Sequence, residues 1–230
     1  MMFGWFYYDW TMLIVLPALI FTFWAQIKVN SSFNKYSQVR TSRGITGAMA
    51  ARRILDANGL RNVRIEKVRG SMTDHFDPRT NTVRLSETVH DVASVAALGV
   101  AAHEVGHAIQ YARNYAPIRV RTAIIPMTRV GSVLAMPIFL IGLLLANDAF
   151  LLFGIVLYSL VTLFQLVTLP VEFNASRRAM QTLRGEGILY GEELSGAKEV
   201  LTSAAMTYVA ALASSLLSLI RLMALANRRR

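Results

Sequence analysis

The chain has 230 residues, 54% of them hydrophobic, with no cysteine and a formal net charge of +10. This apolarity excludes an ordinary soluble domain and points to a membrane protein, and the lack of Cys excludes disulfides and thiolate metal sites. The basic residues gather beside apolar runs without a nucleic-acid motif, so they are expected to orient the chain in a bilayer and attract anionic lipid, with no nucleic-acid partner.

A first apolar run from Trp10 to Ile27 is long enough to span, with Trp5, Tyr7, Tyr8, Trp10 and Trp24 as interfacial anchors. It lacks the basic start and small-residue cleavage site of a signal peptide and is expected to be retained. Lys28, Lys35, Arg40 and Arg43 come after it, and no Lys or Arg stands before it. The positive-inside rule therefore places the next segment in the cytoplasm.

Residues 28–126 read as a small α+β cytoplasmic domain. Gly44 to Asn58 predicts an amphipathic helix with Ile45, Met49, Ile54 and Leu55 inward and Asn58-Gly59 as its C-terminal cap. Val63, Ile65 and Val68 mark one strand, and Val83 with Leu85 a second. Between them, Arg69 to Asn81 reads as a long loop holding Asp74-His75-Phe76-Asp77-Pro78. Two readings stand for this cluster: Asp74 and Asp77 make turn bonds ahead of Pro78, or His75 binds substrate or donates to an oxyanion.

The next helix is expected to start between Asp91 and Ser94 and run past Tyr111. It carries His103-Glu104-Val105-Gly106-His107, in which two histidines four apart share a helix face and can bind one divalent metal, with the intervening Glu placed to act as general base. This is the zincin signature. The bland reading is two helix histidines with unrelated roles. Any zinc in a chain without Cys must be held by His and carboxylates. His90 precedes the helix cap and reads as a surface histidine.

Two apolar runs, Met127 to Ala146 and Ala149 to Leu169, form a transmembrane hairpin over residues 127–169, turning at Asn147-Asp148 outside the cell. Arg119, Arg121 and Arg129 at its start and Arg177, Arg178 and Arg184 beyond its end put both ends on the cytoplasmic side. The segment after Leu169 thus emerges on the side of His103 and His107. Gln110 and Arg113 break the longer metzincin pattern, and Glu172 is the best remaining third ligand. The competing reading of Glu172 is an acidic residue stabilised at the start of a new helix. Glu192, Glu193 and Glu199 read as solvated helix charges.

The order of one span, Ala-Ala-His103-Glu104-Val-Gly-His107-Ala-Ile-Gln, a hairpin, and Glu172-Phe-Asn-Ala-Ser-Arg-Arg resembles the YugP-like family of neutral zinc metallopeptidases, over nearly the whole chain. Thr73-Asp74-His75-Phe76-Asp77-Pro78 and Val83-Arg84-Leu85-Ser86 belong to the same resemblance. The chain also resembles, more distantly, the HtpX-type membrane zinc proteases. The resemblance implies His103, His107 and Glu172 as zinc ligands and Glu104 as general base. HtpX-type proteins carry an Asp four residues after the ligand Glu, supporting a zinc histidine. Here Ser176 stands in that place, a weaker acceptor.

Residues 170–230 complete the chain with a helix from Glu192 to Ala226. Its run from Val200 to Ile220 is long enough to span, but Ser203, Thr207, Ser214, Ser218 and Arg221 fall along one face. It reads either as a fourth span packing through small residues or as an interfacial helix whose stripe meets the zinc domain. Arg228-Arg229-Arg230 tips the expectation toward a helix that does not fully cross, although the family layout allows four spans.

The expected fold is a mainly α multi-pass cell-membrane protein with a small zincin-like cytoplasmic domain. The expected function is a zinc endopeptidase acting on peptide or membrane-protein substrates, with zinc-bound water as nucleophile and peptide paired to the Val83–Leu85 strand edge. The alternative is a non-catalytic metal-stabilised membrane scaffold, against which Glu104 between the histidines argues.

Overall fold

The computed structural model describes residues 10–228, so Trp5, Tyr7, Tyr8, Arg229 and Arg230 lie outside the described residues. Among the described residues the elements are, in chain order, α1 (Met12–Ser37), α2 (Gly47–Ala57), β1 (Arg64–Val68), β2 (His75–Asp77), β3 (Thr82–Ser86), α3 (Val95–Ala112), α4 (Ala116–Leu144), α5 (Asp148–Gly185) and α6 (Gly191–Asn227). α1, α4, α5 and α6 are each long and apolar enough to cross a membrane, by length and composition. The chain divides into two compact units.

One unit gathers the described residues of Met1–Ala25, Val120–Leu169 and Thr207–Arg230. Glycines set how closely α4 and α5 pack: a Cβ on Gly131 would lie 2.7 Å from the Leu157 carbonyl oxygen, and one on Gly154 2.9 Å from the Phe139 Cα. Small residues let helix backbones approach where lipid supplies no hydrophobic drive between helices. Phe139, Leu151 and Leu222 are buried together, while Leu13, Ile20, Phe23, Val133, Leu152 and Leu166 stay exposed, as lipid-facing positions should. Asn147 Oδ1 accepts from the N–H groups of Ala149 (3.0 Å) and Phe150 (3.3 Å), which caps α5 at the hairpin turn.

Two positions of the expected polar stripe of α6, Ser214 and Arg221, meet neighbouring helices in this unit. Ser214 Oγ lies 2.9 Å from Thr22 Oγ1, Arg221 Nε donates to Thr11 Oγ1 at 3.2 Å, and Thr162 Oγ1 donates to the Ser215 carbonyl at 3.4 Å. At 37 residues and about 55 Å, α6 has the length to cross. The expectation of an incomplete crossing rests on Arg228-Arg229-Arg230, of which the last two lie outside the described residues.

The other unit, Gln26–Arg119 with Pro170–Met206, holds the sheet. α1 runs ten residues past the expected end at Ile27. Phe33 and Tyr36 on that extension pack with Ala96, Val100 and Val200, and Ser32 Oγ meets Ser203 Oγ at 2.8 Å, so tertiary burial continues the helix beyond its apolar run. Glu199 is no free charge. It accepts from Tyr36 Oη at 2.7 Å and lies 3.6 and 3.5 Å from Lys28 and Lys35. Glu193 likewise accepts from the Ser42 N–H at 2.7 Å.

α2 is capped by Thr46, whose side chain accepts from the Met49 N–H, and ends at Asn58 with Gly59 at φ +76°. It buries Gly47, Ala50, Ala51, Ile54 and Leu55, the i, i+3, i+4, i+7, i+8 stripe. Met49 lies off that stripe and is exposed, contrary to the expectation. The expected loop between the strands contains β2, and the sheet order is β1-β3-β2, parallel for β1 with β3 and antiparallel for β2 with β3. β3 is therefore central, with both edges paired, and cannot offer an edge to a peptide. β2 can.

Two aspartates fix β2 against β3. Asp74 accepts from the Ser86 N–H (2.7 Å) and Oγ (2.9 Å), and Asp77 accepts from the Arg79 N–H (3.0 Å), Thr80 Oγ1 (2.8 Å) and Arg84 Nη1 (2.7 Å). The Arg84 bond, then those from Thr80 and Arg79, hold the Asp77 carboxyl well below the usual carboxylate range.

α5 is continuous through Pro170, so Glu172 lies inside a helix and not at the start of a new one. This removes the reading of Glu172 as a helix-start acid. α4 begins at Ala116, before the expected start of the hairpin. α3 and α5 meet at Gly106, where an added Cβ would fall 2.7 Å from the Ala175 carbonyl oxygen and 3.2 Å from its Cα.

Gly106→Ala should therefore force α3 and α5 apart and cost about 1–3 kcal/mol as overpacking. Thermal unfolding in detergent checks this, and an unchanged Tm would remove the close approach as a constraint. Asp77→Asn should lower Tm at neutral pH. Because the folded-state pKa of Asp77 is depressed, its contribution is present above the ordinary carboxylate range and lost as pH falls through and below it. The Tm gap between wild type and variant should accordingly narrow in acid.

Candidate metal centre

Ser94 starts α3, its Oγ accepting from the Ala97 N–H at 3.2 Å. Ala101, Ala102, Val105 and Ala108 are buried on the same helix, which sets its rotation. His103 and His107, one turn apart, then face α5 with their rings edge-on and centroids 4.8 Å apart. α5 answers with Glu172, which is 2% exposed. Its Oε2 lies 3.2 Å from His103 Nε2 and 3.6 Å from His107 Nε2.

One ligand atom from each of His103, His107 and Glu172 lies within 4.8 Å of the others, a group that could hold a metal ion. The donor set fits zinc. Two ligands at zinc–nitrogen and zinc–oxygen bond lengths on a tetrahedral ion lie about 3.4 Å apart, between the two observed distances. The electrostatics agree. Burial works against a charged His107, yet its hydrogen bond to Glu172 and the charges of Glu104 and Glu172 outweigh this and raise its pKa above the ordinary imidazole value. The pocket draws positive charge.

Each imidazole also has a partner at its far nitrogen. His103 Nδ1 lies 3.1 Å from Ser176 Oγ, and His107 Nδ1 lies 3.0 Å from Gln110 Oε1. The sequence singled out Ser176 only as a departure and Gln110 only as a broken pattern. Their signal was helical spacing, since Ser176 comes four residues after Glu172 and Gln110 three after His107.

Glu104 makes a separate contact. Its Oε2 accepts from the Phe76 N–H of β2 at 3.1 Å, bringing the edge strand to the side of the metal helix, and the Phe76 ring packs on Tyr111 with centroids 5.6 Å apart. His75 is next to this contact but exposed, its Nδ1 donating to the Thr73 carbonyl at 2.8 Å, and it is outside the three-residue group. His90 pairs with Asp91 at 2.6 Å and is likewise outside it.

The family described as "Putative neutral zinc metallopeptidase" matches residues 11–227. The "Putative membrane protease YugP" of Bacillus subtilis (strain 168) is 49% identical over 208 residues, covering 90% of this chain and 92% of that protein. No solved structure matches the chain significantly. With the match running from the first described helix to the end of the last, the chain belongs to the "Putative neutral zinc metallopeptidase" family.

Proposed function

We propose that the protein is a membrane-integral zinc endopeptidase whose site lies at the cytoplasmic face of the membrane. The observation that carries this is the convergence of His103, His107 and Glu172 with a further carboxylate, Glu104, between the two histidines on the same helix. A structural metal site needs no such group, whereas hydrolysis does. His103, His107 and Glu172 hold the metal. Bound zinc supplies a Lewis acid for the scissile carbonyl and lowers the pKa of a coordinated water toward 7.

The chain's own groups do the rest. Glu104 takes a proton from the attacking water and later delivers it to the leaving amine, so the base regenerates within one turnover. The Phe76 N–H orients that carboxylate from the sheet side. Peptide binds extended along β2, an edge strand of the sheet among the described residues, and main-chain pairing there gives affinity with little sequence preference. His75, on the same strand, is placed to bind substrate or to donate to a developing oxyanion. The basic residues Lys28, Arg40, Arg43, Arg177 and Arg178 flanking the apolar runs support a cytoplasmic domain.

Purified protein should degrade an unfolded membrane substrate, lose that activity with chelator and regain it with zinc; cleavage indifferent to chelator would refute the reading. Glu104→Gln should keep the metal and the fold while hydrolysis falls by about 10²–10⁴. A variant cleaving near the wild-type rate would require another base. His103→Ala and His107→Ala should abolish binding of about one zinc per chain, and Glu172→Ala should weaken zinc binding far more than Glu192→Ala at an exposed helix position. Equal zinc titrations for wild type and Glu172→Ala would move the third ligand elsewhere, with His75 next to test.

A further inference from the structure

Gln110 is completely buried and makes three polar contacts. Its Nε2 donates to the Val171 carbonyl at 2.8 Å and to Asn174 Oδ1 at 3.0 Å, and its Oε1 lies 3.0 Å from His107 Nδ1. The direction of every bond is set by chemistry. A backbone carbonyl only accepts, so the NH₂ of Gln110 must face Val171. Arg178 Nε only donates, and it does so to Asn174 Oδ1 at 2.8 Å, which makes that atom the acceptor for Gln110 as well. With its NH₂ committed twice to α5, Gln110 has only an oxygen to offer His107. The Nδ1 of that ring must then carry a proton, so that in the neutral imidazole, the form that binds a metal, the lone pair is on Nε2, the nitrogen that faces Glu172.

We propose that Gln110 is the positioning residue that fixes which nitrogen His107 presents to a metal and ties that imidazole to the stretch of α5 carrying Glu172. The inference rests on His107 being a ligand, as proposed above. One amide touches both the His107 ring and the carbonyl of Val171, the residue before Glu172, so tautomer and ligand spacing are set together. His103 is held differently. Its partner is the Ser176 hydroxyl, which can donate or accept and so imposes no direction. His107 is the ring with an imposed tautomer, and His103 the ring that adapts.

The test uses full-length protein in detergent, zinc titration against a chromophoric chelator, and ¹⁵N spectra of the zinc-loaded protein, in which four histidines keep the imidazole signals few. In wild type, His107 should be metallated through Nε2 and carry an Nδ1 proton protected from exchange. Gln110→Met, which keeps length and removes both functions, should weaken zinc binding about 10–100-fold and release the His107 Nδ1 proton while leaving that of His103 in place. Gln110→Glu restores the acceptor but not the donors, so zinc affinity should recover toward wild type while Tm stays low. This split separates the imidazole role from a mere tie between helices. Wild-type zinc affinity in Gln110→Met, or Gln110→Glu binding zinc as weakly as Gln110→Met, would overturn the proposal. If neither variant folds, metallation of His107 through Nδ1 in wild type would overturn it alone. His107→Ala abolishing zinc binding while Gln110→Met leaves it untouched would sink this inference and spare the ligand assignment.

Discussion

A carboxylate buried inside a helix must find opposite charge or strong donors, because leaving it unpaired costs on the order of several kcal/mol. Glu172 meets that requirement in the two imidazoles of α3, at 3.2 and 3.6 Å. Neither partner is near it in sequence. The residues between them form α4 and most of α5, so the pairing demands that the chain leave after α3 and return with α5 antiparallel to α4. The same cluster gathers two nitrogens and an oxygen within 4.8 Å of one another, a group that could hold a metal ion, so the demand for folding and the demand for metal binding fall on the same three side chains.

The close approach of α3 and α5 depends on what is missing at Gly106. Any side chain there would meet the Ala175 backbone, on the α5 segment between Glu172 and Ser176. Once the helices are this close, helical periodicity delivers the outer partners without further design: Ser176 one turn beyond Glu172, and Gln110 one turn beyond His107. Both are neutral. A hydroxyl and an amide polarise an imidazole less than a carboxylate does, so the acidic charge around the two histidines resides in Glu172 and Glu104.

The sheet serves the site through its shortest strand. Asp74 and Asp77 clamp the two ends of β2 onto β3, and between them Phe76 offers its N–H to Glu104. The structural reading of this acidic segment is seen directly in the bonds of its two aspartates. The aspartates do make the turn and strand bonds expected of them, and in doing so they hold the backbone donor against the carboxylate proposed as the base.

Local chemistry sufficed for much of this. The His103–His107 spacing, the caps at Ser94 and Asn58, most of the apolar stripes of α2 and α3 and the long apolar runs depend on residues within a few turns of one another, and such periodicity survives in any fold. Glu172 was legible as a ligand candidate because charge flanking the hairpin and the lack of Cys left few choices. The features that only the tertiary structure decided involve partners far apart in the chain. β2 is three residues long and exists because β3 pairs with it, so no periodicity announces it. α1 continues to Ser37 because Ala96 and Val200 cover it, and α5 passes through Pro170 where the residue alone reads as a helix start. The fates of Gln110, Ser176 and the α6 hydroxyls were set the same way. A polar side chain carries no mark in sequence of whether water or another helix will satisfy it, and that choice is made by whichever backbone arrives beside it.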